Sequence, residues 1–232
     1  MINFRNGIIW YLVFLSSTIF HEFCHAFTAM KMGDLTAYEK GQVSLNPLPH
    51  IKREPIGTVV VPILSFILGG WMIGWASTPY NYEWAYTHPK KSAAMSAAGP
   101  ISNFILLFIS AIIIHVGIYF GFFLAPESIN ISNVVQATNP ETFESLAKII
   151  SIMFSLNLIL FVFNLIPLPP LDGSGILPMF MGEKTGRKYM DLIRSSGLSM
   201  IGLFIAWKLF DLIYFKVFLA FINILYFGSN YR

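Results

Sequence analysis

Cysteine and charge are the two things this sequence has least of. Cys24 is the only cysteine among 232 residues, so no disulfide can form within the chain. Charged residues make up 12% of the sequence, about half of the ~25% usual in soluble domains. No hydrophilic stretch is long enough to fold as a separate domain, so one unit over residues 1–232 is expected. The formal net charge is only +3, and the basic residues lie in loops between apolar runs. That distribution suits anionic lipid headgroups and gives no reason to expect a nucleic-acid partner. Between Pro126 and Glu144 there is no lysine or arginine at all. A cleavable leader is not expected, because the first apolar run carries ionisable residues that would be lost with it.

What fills the chain instead is apolar: 55% hydrophobic residues, 22 Phe and 5 Trp, with a mean hydropathy of +0.63. The expectation is an all-α integral membrane protein, a multi-pass helical bundle with the lipid bilayer as its solvent. Runs from about Gly7 to Met30, Ala93 to Leu124 and Leu146 to Ile166 are long enough to cross, given a hydrocarbon core of about 30 Å and a rise of about 1.5 Å per residue. Gly57 to Ser77 also has the length, but Pro62, Gly69-Gly70 and Gly74 interrupt it. Gly197 to Phe227 is too long for one regular span and carries Lys208, Asp211 and Lys216. Two short helices meeting near Asp211 are expected there. In the polar stretch after the first run, Gln42-Val43-Ser44-Leu45 alternates like a strand, which points to a short β-hairpin at the membrane surface.

The chemistry starts at His21-Glu22-Phe23-Cys24-His25. Histidines four apart stack on one helix face, so both imidazoles can reach one metal ion. Glu22 flanks them, where a carboxylate can take a proton from water at the metal. Ionisable groups at membrane depth are costly and mark function by default. A catalytic zinc site takes three protein ligands, so one ligand must come from elsewhere. Asp172, in Pro169-Pro170-Leu171-Asp172-Gly173 at the end of a span, has the best context; His50, after Asn46-Pro47, is the alternative. Prolines there release backbone groups that only a protein-lined or watery cavity tolerates.

Three segments together resemble the site-2 protease family of intramembrane zinc metalloproteases, in its short prokaryotic-type branch. They are His21 to His25, then Ala98-Gly99-Pro100-Ile101-Ser102-Asn103, then Asn164-Leu165-Ile166-Pro167-Leu168-Pro169-Pro170-Leu171-Asp172-Gly173. The resemblance implies one Zn2+ held by His21, His25 and Asp172, with Glu22 as catalytic base. It also implies that Asn103 and Asn164 line the cleft, and that the substrate is a membrane protein cut in or near a transmembrane segment. Gly74-Trp75-Ala76-Ser77-Thr78-Pro79 departs from the family pattern by lacking a lysine after Gly-Trp-Ala. Two rival readings use the same polar groups: an ion transporter, and a membrane scaffold that keeps the zinc without cleaving.

Topology follows from parity. His25 lies in the second half of the first span and Asp172 just past the Leu146–Ile166 span. Zinc bonds are about 2 Å long, so both must sit on one side. A full crossing by Gly57 to Ser77 would put them on opposite sides; a segment that dips in and returns lets them meet. The lysines and arginines of the loops on that side place the site toward the cytoplasm by the positive-inside rule, and the resemblance implies a prokaryotic cell membrane.

Overall fold

A computed structural model describes residues 4–194, 196–229 and 231. Among the described residues, three helices are long and apolar enough to cross a membrane: α1 (Phe4–Met32), α6 (Pro89–Tyr119) and α7 (Pro140–Asn164). Between α1 and α6 lie α2 (Thr36–Glu39), α3 (Pro47–Arg53), a π-helical turn (Ile56–Val60) running into α4 (Val61–Gly69), and α5 (Tyr82–Thr87). After α7 come α8 (Asp172–Ile176), a 3-10 turn (Leu177–Phe180), α9 (Glu183–Ile193) and α10 (Ser196–Leu225).

Sequence punctuation sets several of these boundaries. Asn46 and Asn139 each cap a helix through the side-chain oxygen and are followed by proline in the first turn, where its missing N–H costs nothing. Asn81 caps α5 by accepting from the amides of Glu83 and Trp84. At the other end of α4, Gly70 adopts φ +75°, a left-handed conformation that favours glycine and stops the helix.

The helices pack up–down–up. Arg5 at the start of α1 pairs with Glu144 at the start of α7 at 2.9 Å, so these two run parallel with α6 antiparallel between them. One apolar cluster joins the first half of α1 to α7 through Trp10, Phe14, Ile152 and Leu156. Another gathers Ile114, Phe123, Phe154 and Ile222 around the far end of α6. Outward-facing Ile105, Phe108 and Ile112 stay 46–59% exposed, as a lipid-facing surface should.

The segment after α3 enters and returns. The π turn and α4 together span Ile56–Gly69, too few residues to cross at about 1.5 Å each. Residues 71–81 come back without regular secondary structure. The Trp75 amide donates to the Gly57 carbonyl at 3.1 Å, so entry and exit lie side by side. A Cβ on Gly57 would collide with that Trp75 carbonyl, which is why glycine stands at the crossing. The re-entrant expectation for 57–77 therefore holds.

Two local expectations do not. Val43 to Leu45 form bends and Gln42 has no regular structure, so no strand forms there. The only sheet among the described residues is a two-residue antiparallel ladder, β1 (Phe123–Leu124) with β2 (Gln136–Ala137), at the opposite end of the bundle. Alternation at 42–45 had no second strand to pair with, and its backbone turns into the Asn46 cap instead. The stretch after Gly197 is one continuous helix, α10. Lys208, Asp211 and Lys216 add charge to it, but charge does not end a helix; proline does, and α10 contains none.

Candidate metal centre

His21, His25 and Asp172 meet, with their ligand atoms all within 4.8 Å of one another. Helical spacing puts the two imidazoles one turn apart on the buried face of α1. Asp172 arrives from the first turn of α8, after the prolines have stopped α7 and turned the chain back toward α1 and α6. His21 Nε2 and His25 Nε2 lie 3.0 Å apart. Asp172 Oδ2 lies 3.1 and 3.3 Å from them. Tetrahedral zinc with bonds near 2 Å places its ligands about 3.3 Å apart, so the spacing fits the ion.

Hydrogen bonds fix which ring nitrogens carry protons. His25 Nδ1 contacts the Met95 carbonyl at 2.7 Å; a carbonyl only accepts, so Nδ1 donates, and in the neutral ring Nε2 carries the lone pair. For His21 the deduction runs through two asparagines. Asn157 Nδ2 donates to the Met153 carbonyl at 2.8 Å and to Ser17 Oγ at 3.0 Å, which turns Asn157 Oδ1 toward Asn103. Asn103 Nδ2 donates to that oxygen at 2.9 Å. Asn103 Oδ1 is thus left facing His21 Nδ1 at 2.6 Å, and His21 must donate. With both rings neutral, the two Nε2 lone pairs point at each other and at a carboxylate oxygen, an arrangement that repels unless a metal ion or a proton joins them. Gly99 supplies the room: a Cβ there would run into His21 and His25 Nε2. The donor set and the space beside it fit zinc.

Glu22 is buried but opens onto a groove of about 620 Å³ shared with His25 and Asp172. Ala76 to Thr78 and Tyr80 form one wall, with Met95 and Ser96 of α6 also lining it; Arg194 stands at the rim. Burial pushes the Tyr80 phenol up, against the opposing pull of Arg194, so this wall presents a neutral hydroxyl.

The structure places the remaining sequence candidates away from the groove wall. Asn103 is fully buried and spends its side chain on His21 and Asn157. Asn164 ends α7, half-buried and outside the groove lining. His50 is buried on α3, with Nε2 donating to the Ser44 carbonyl at 2.8 Å, and it does not join the cluster. Sequence reasoning gave no role to Asn157 or Thr78. A polar residue inside an apolar run signals the first; nothing local signals the second.

A model of peptidase family M50 matches residues 9–209. The chain is similar to "Putative zinc metalloprotease YwhC" of Bacillus subtilis, 35% identical over 171 residues, which is 72% of this chain and 66% of that one. It is also similar to Rip2 of Mycolicibacterium smegmatis, which bears the same designation, at 27% identity over 75% of this chain and 57% of Rip2. The chain thus spans about two thirds or less of the length of these curated relatives. No solved structure matches it.

Proposed function

Because the chain belongs to peptidase family M50, we propose that it is a zinc-dependent endopeptidase that cuts membrane-protein substrates in or near a transmembrane segment. The observation that carries this reading is the convergence of two bare imidazole nitrogens and the Asp172 carboxylate beside Glu22, at the foot of an open groove. His21, His25 and Asp172 hold the ion in this reading. Zinc bound there supplies Lewis acidity, acidifying water and polarising the scissile carbonyl.

The protein groups do the rest. Asn103 and the Met95 carbonyl orient the two imidazoles through their Nδ1–H groups and keep Nε2 available. Glu22 accepts the proton of the attacking water and delivers it to the leaving nitrogen. The groove takes an extended peptide, so a substrate helix unwinds locally to expose its carbonyls. A transporter reading leaves Glu22 without a task, since it is not among the converging groups. The test is a membrane-spanning reporter with wild type and Glu22→Gln. Wild type is expected to cut it, and the variant to keep its zinc while losing at least about 10²-fold in turnover. Cleavage by the glutamine variant at a rate near wild type removes Glu22 as the base.

We further propose that the groove faces the cytoplasm. Lys31, Lys40, Lys52, Arg53, Lys90, Lys91, Lys184, Arg187, Lys188 and Arg194 all lie in the segments at the metal end. In a Cys24→Ser background, Lys52→Cys and Lys90→Cys are expected to react with a membrane-impermeant thiol reagent only from the cytoplasmic face. Reaction of both from outside inverts the orientation.

A further inference from the structure

Residues 71–81 return from the re-entrant element on a course fixed at its base. The Trp75 amide bonds the Gly57 carbonyl, Arg53 Nε donates to the Ser77 carbonyl at 3.0 Å, and Ser77 Oγ donates to Glu54 Oε1 at 2.6 Å. The next residue, Thr78, reaches across to α1. Its hydroxyl oxygen lies 2.8 Å from Glu22 Oε2 and 2.9 Å from the backbone oxygen of the same glutamate. Among the described residues, no other hydrogen bond reaches the Glu22 side chain.

The hydroxyl has one proton and two acceptors in range. Both acceptors belong to Glu22, so whichever takes the proton, the hydroxyl sits at the junction of carboxylate and backbone. A glutamate side chain turns about three torsions, and beside an open groove it would otherwise visit several rotamers. Threonine suits the task because its branched Cβ restricts its own χ1.

We propose that Thr78 is a positioning residue for Glu22: it holds Oε2 and leaves the other carboxylate oxygen to face the attacking water. The proposal rests on the reading of Glu22 as the base. Through it the re-entrant element aims the proton acceptor as well as walling the groove, and the anchors at Arg53, Glu54 and Gly57 set the aim. A loop fastener would need only the backbone contact; the side-chain contact at 2.8 Å is what a positioning role adds.

The experiment uses the full chain, loaded with zinc, in lipid bicelles with the membrane-spanning reporter. Thr78→Val is expected to keep its zinc and a KM within about twofold of wild type. Its kcat should fall about tenfold or more, as small misplacements of a reacting group do. Thr78→Ser, which restores the hydroxyl, should recover most of the rate. A second readout needs no turnover. Subtracting the infrared spectrum of Glu22→Gln from wild type isolates the Glu22 carboxylate bands. The same subtraction in the Thr78→Val background should show the antisymmetric stretch displaced. An unmoved band overturns the proposal. So does a moved band with unchanged kcat, a Thr78→Ser variant as slow as Thr78→Val, or a change confined to KM. If Glu22→Gln cuts like wild type, or wild type does not cut, the protease reading fails on its own account, and the infrared band still decides whether Thr78 holds Glu22.

Discussion

The polar groups buried between α1, α6 and α7 and the charged residues along α10 stand in opposite relations to their surroundings. His21, Asn103, Asn157 and Ser17 are all buried, and in that order each is joined to the next by a hydrogen bond of 2.6–3.0 Å. Lys208, Asp211 and Lys216 are exposed on a helix of similar length and make no ion pair among the described residues. Both sets cost free energy in an apolar environment. Only the first converges, from three helices, on one point. A polar residue in an apolar run is therefore a warning of function, and convergence is what turns it into a site. Long lysine side chains on an open helix flank can instead carry their charge toward the interface.

That contrast breaks most sharply at the ligands. Asp172→Ala should abolish stoichiometric zinc binding, measured by metal analysis after gel filtration, while His50→Ala leaves the zinc in place. The reverse order would put the third ligand in the α3 region. Gly99→Ala should also lose zinc, although it removes no polar group, because its Cβ occupies the space beside both Nε2 atoms. Full zinc occupancy in that variant would mean that the helix pair can part at little cost.

One bond further out, effects should shrink. Asn103→Ala leaves the His21 N–H without its acceptor, and a competition titration should show zinc affinity lower by about 10–100-fold. Asn157→Ala acts on His21 only through Asn103, so its affinity loss should be the smaller of the two. It should still destabilise the fold by about 1–3 kcal/mol, because the Asn103 amide loses its buried acceptor. Equal affinity losses from both would show that the two asparagines act as one unit. The smallest effect belongs to α10. Asp211→Leu is expected to leave zinc content unchanged and stability within about 0.5 kcal/mol. A large loss there would give Asp211 a partner, and the contrast between the two regions would disappear.

Much of the site could be read along the chain because its parts are local patterns. Four-residue spacing places His21 and His25 on one face wherever a helix forms. A carboxylate in a proline-glycine turn at a span's end marks Asp172. Pro62 with Gly69-Gly70 and Gly74 marks a segment that cannot cross cleanly, and the parity of the ligands required it to return. Misreadings arose where a local pattern had no partner in space. Gln42 to Leu45 alternate like a strand, yet among the described residues no second strand lies beside them. Charge in the α10 run suggested a break, yet nothing in that run removes a backbone hydrogen bond.

Sequence by itself determined the apolar class, the interrupted segment at 57–77 and the candidate metal-binding groups His21 and His25, because each is written in the spacing or order of neighbouring residues. Tertiary structure alone decided how those groups are held. His21 and Asn103 are 82 residues apart, Asn157 and Ser17 are 140, and Thr78 and Glu22 are 56. No periodicity links positions so distant, and any of several polar residues in the apolar runs had the chemistry for these contacts. Helix packing selected among them: it set Asn103 behind His21, left Asn164 at a helix end, and brought the return of a segment that never crosses the membrane onto the carboxylate of Glu22.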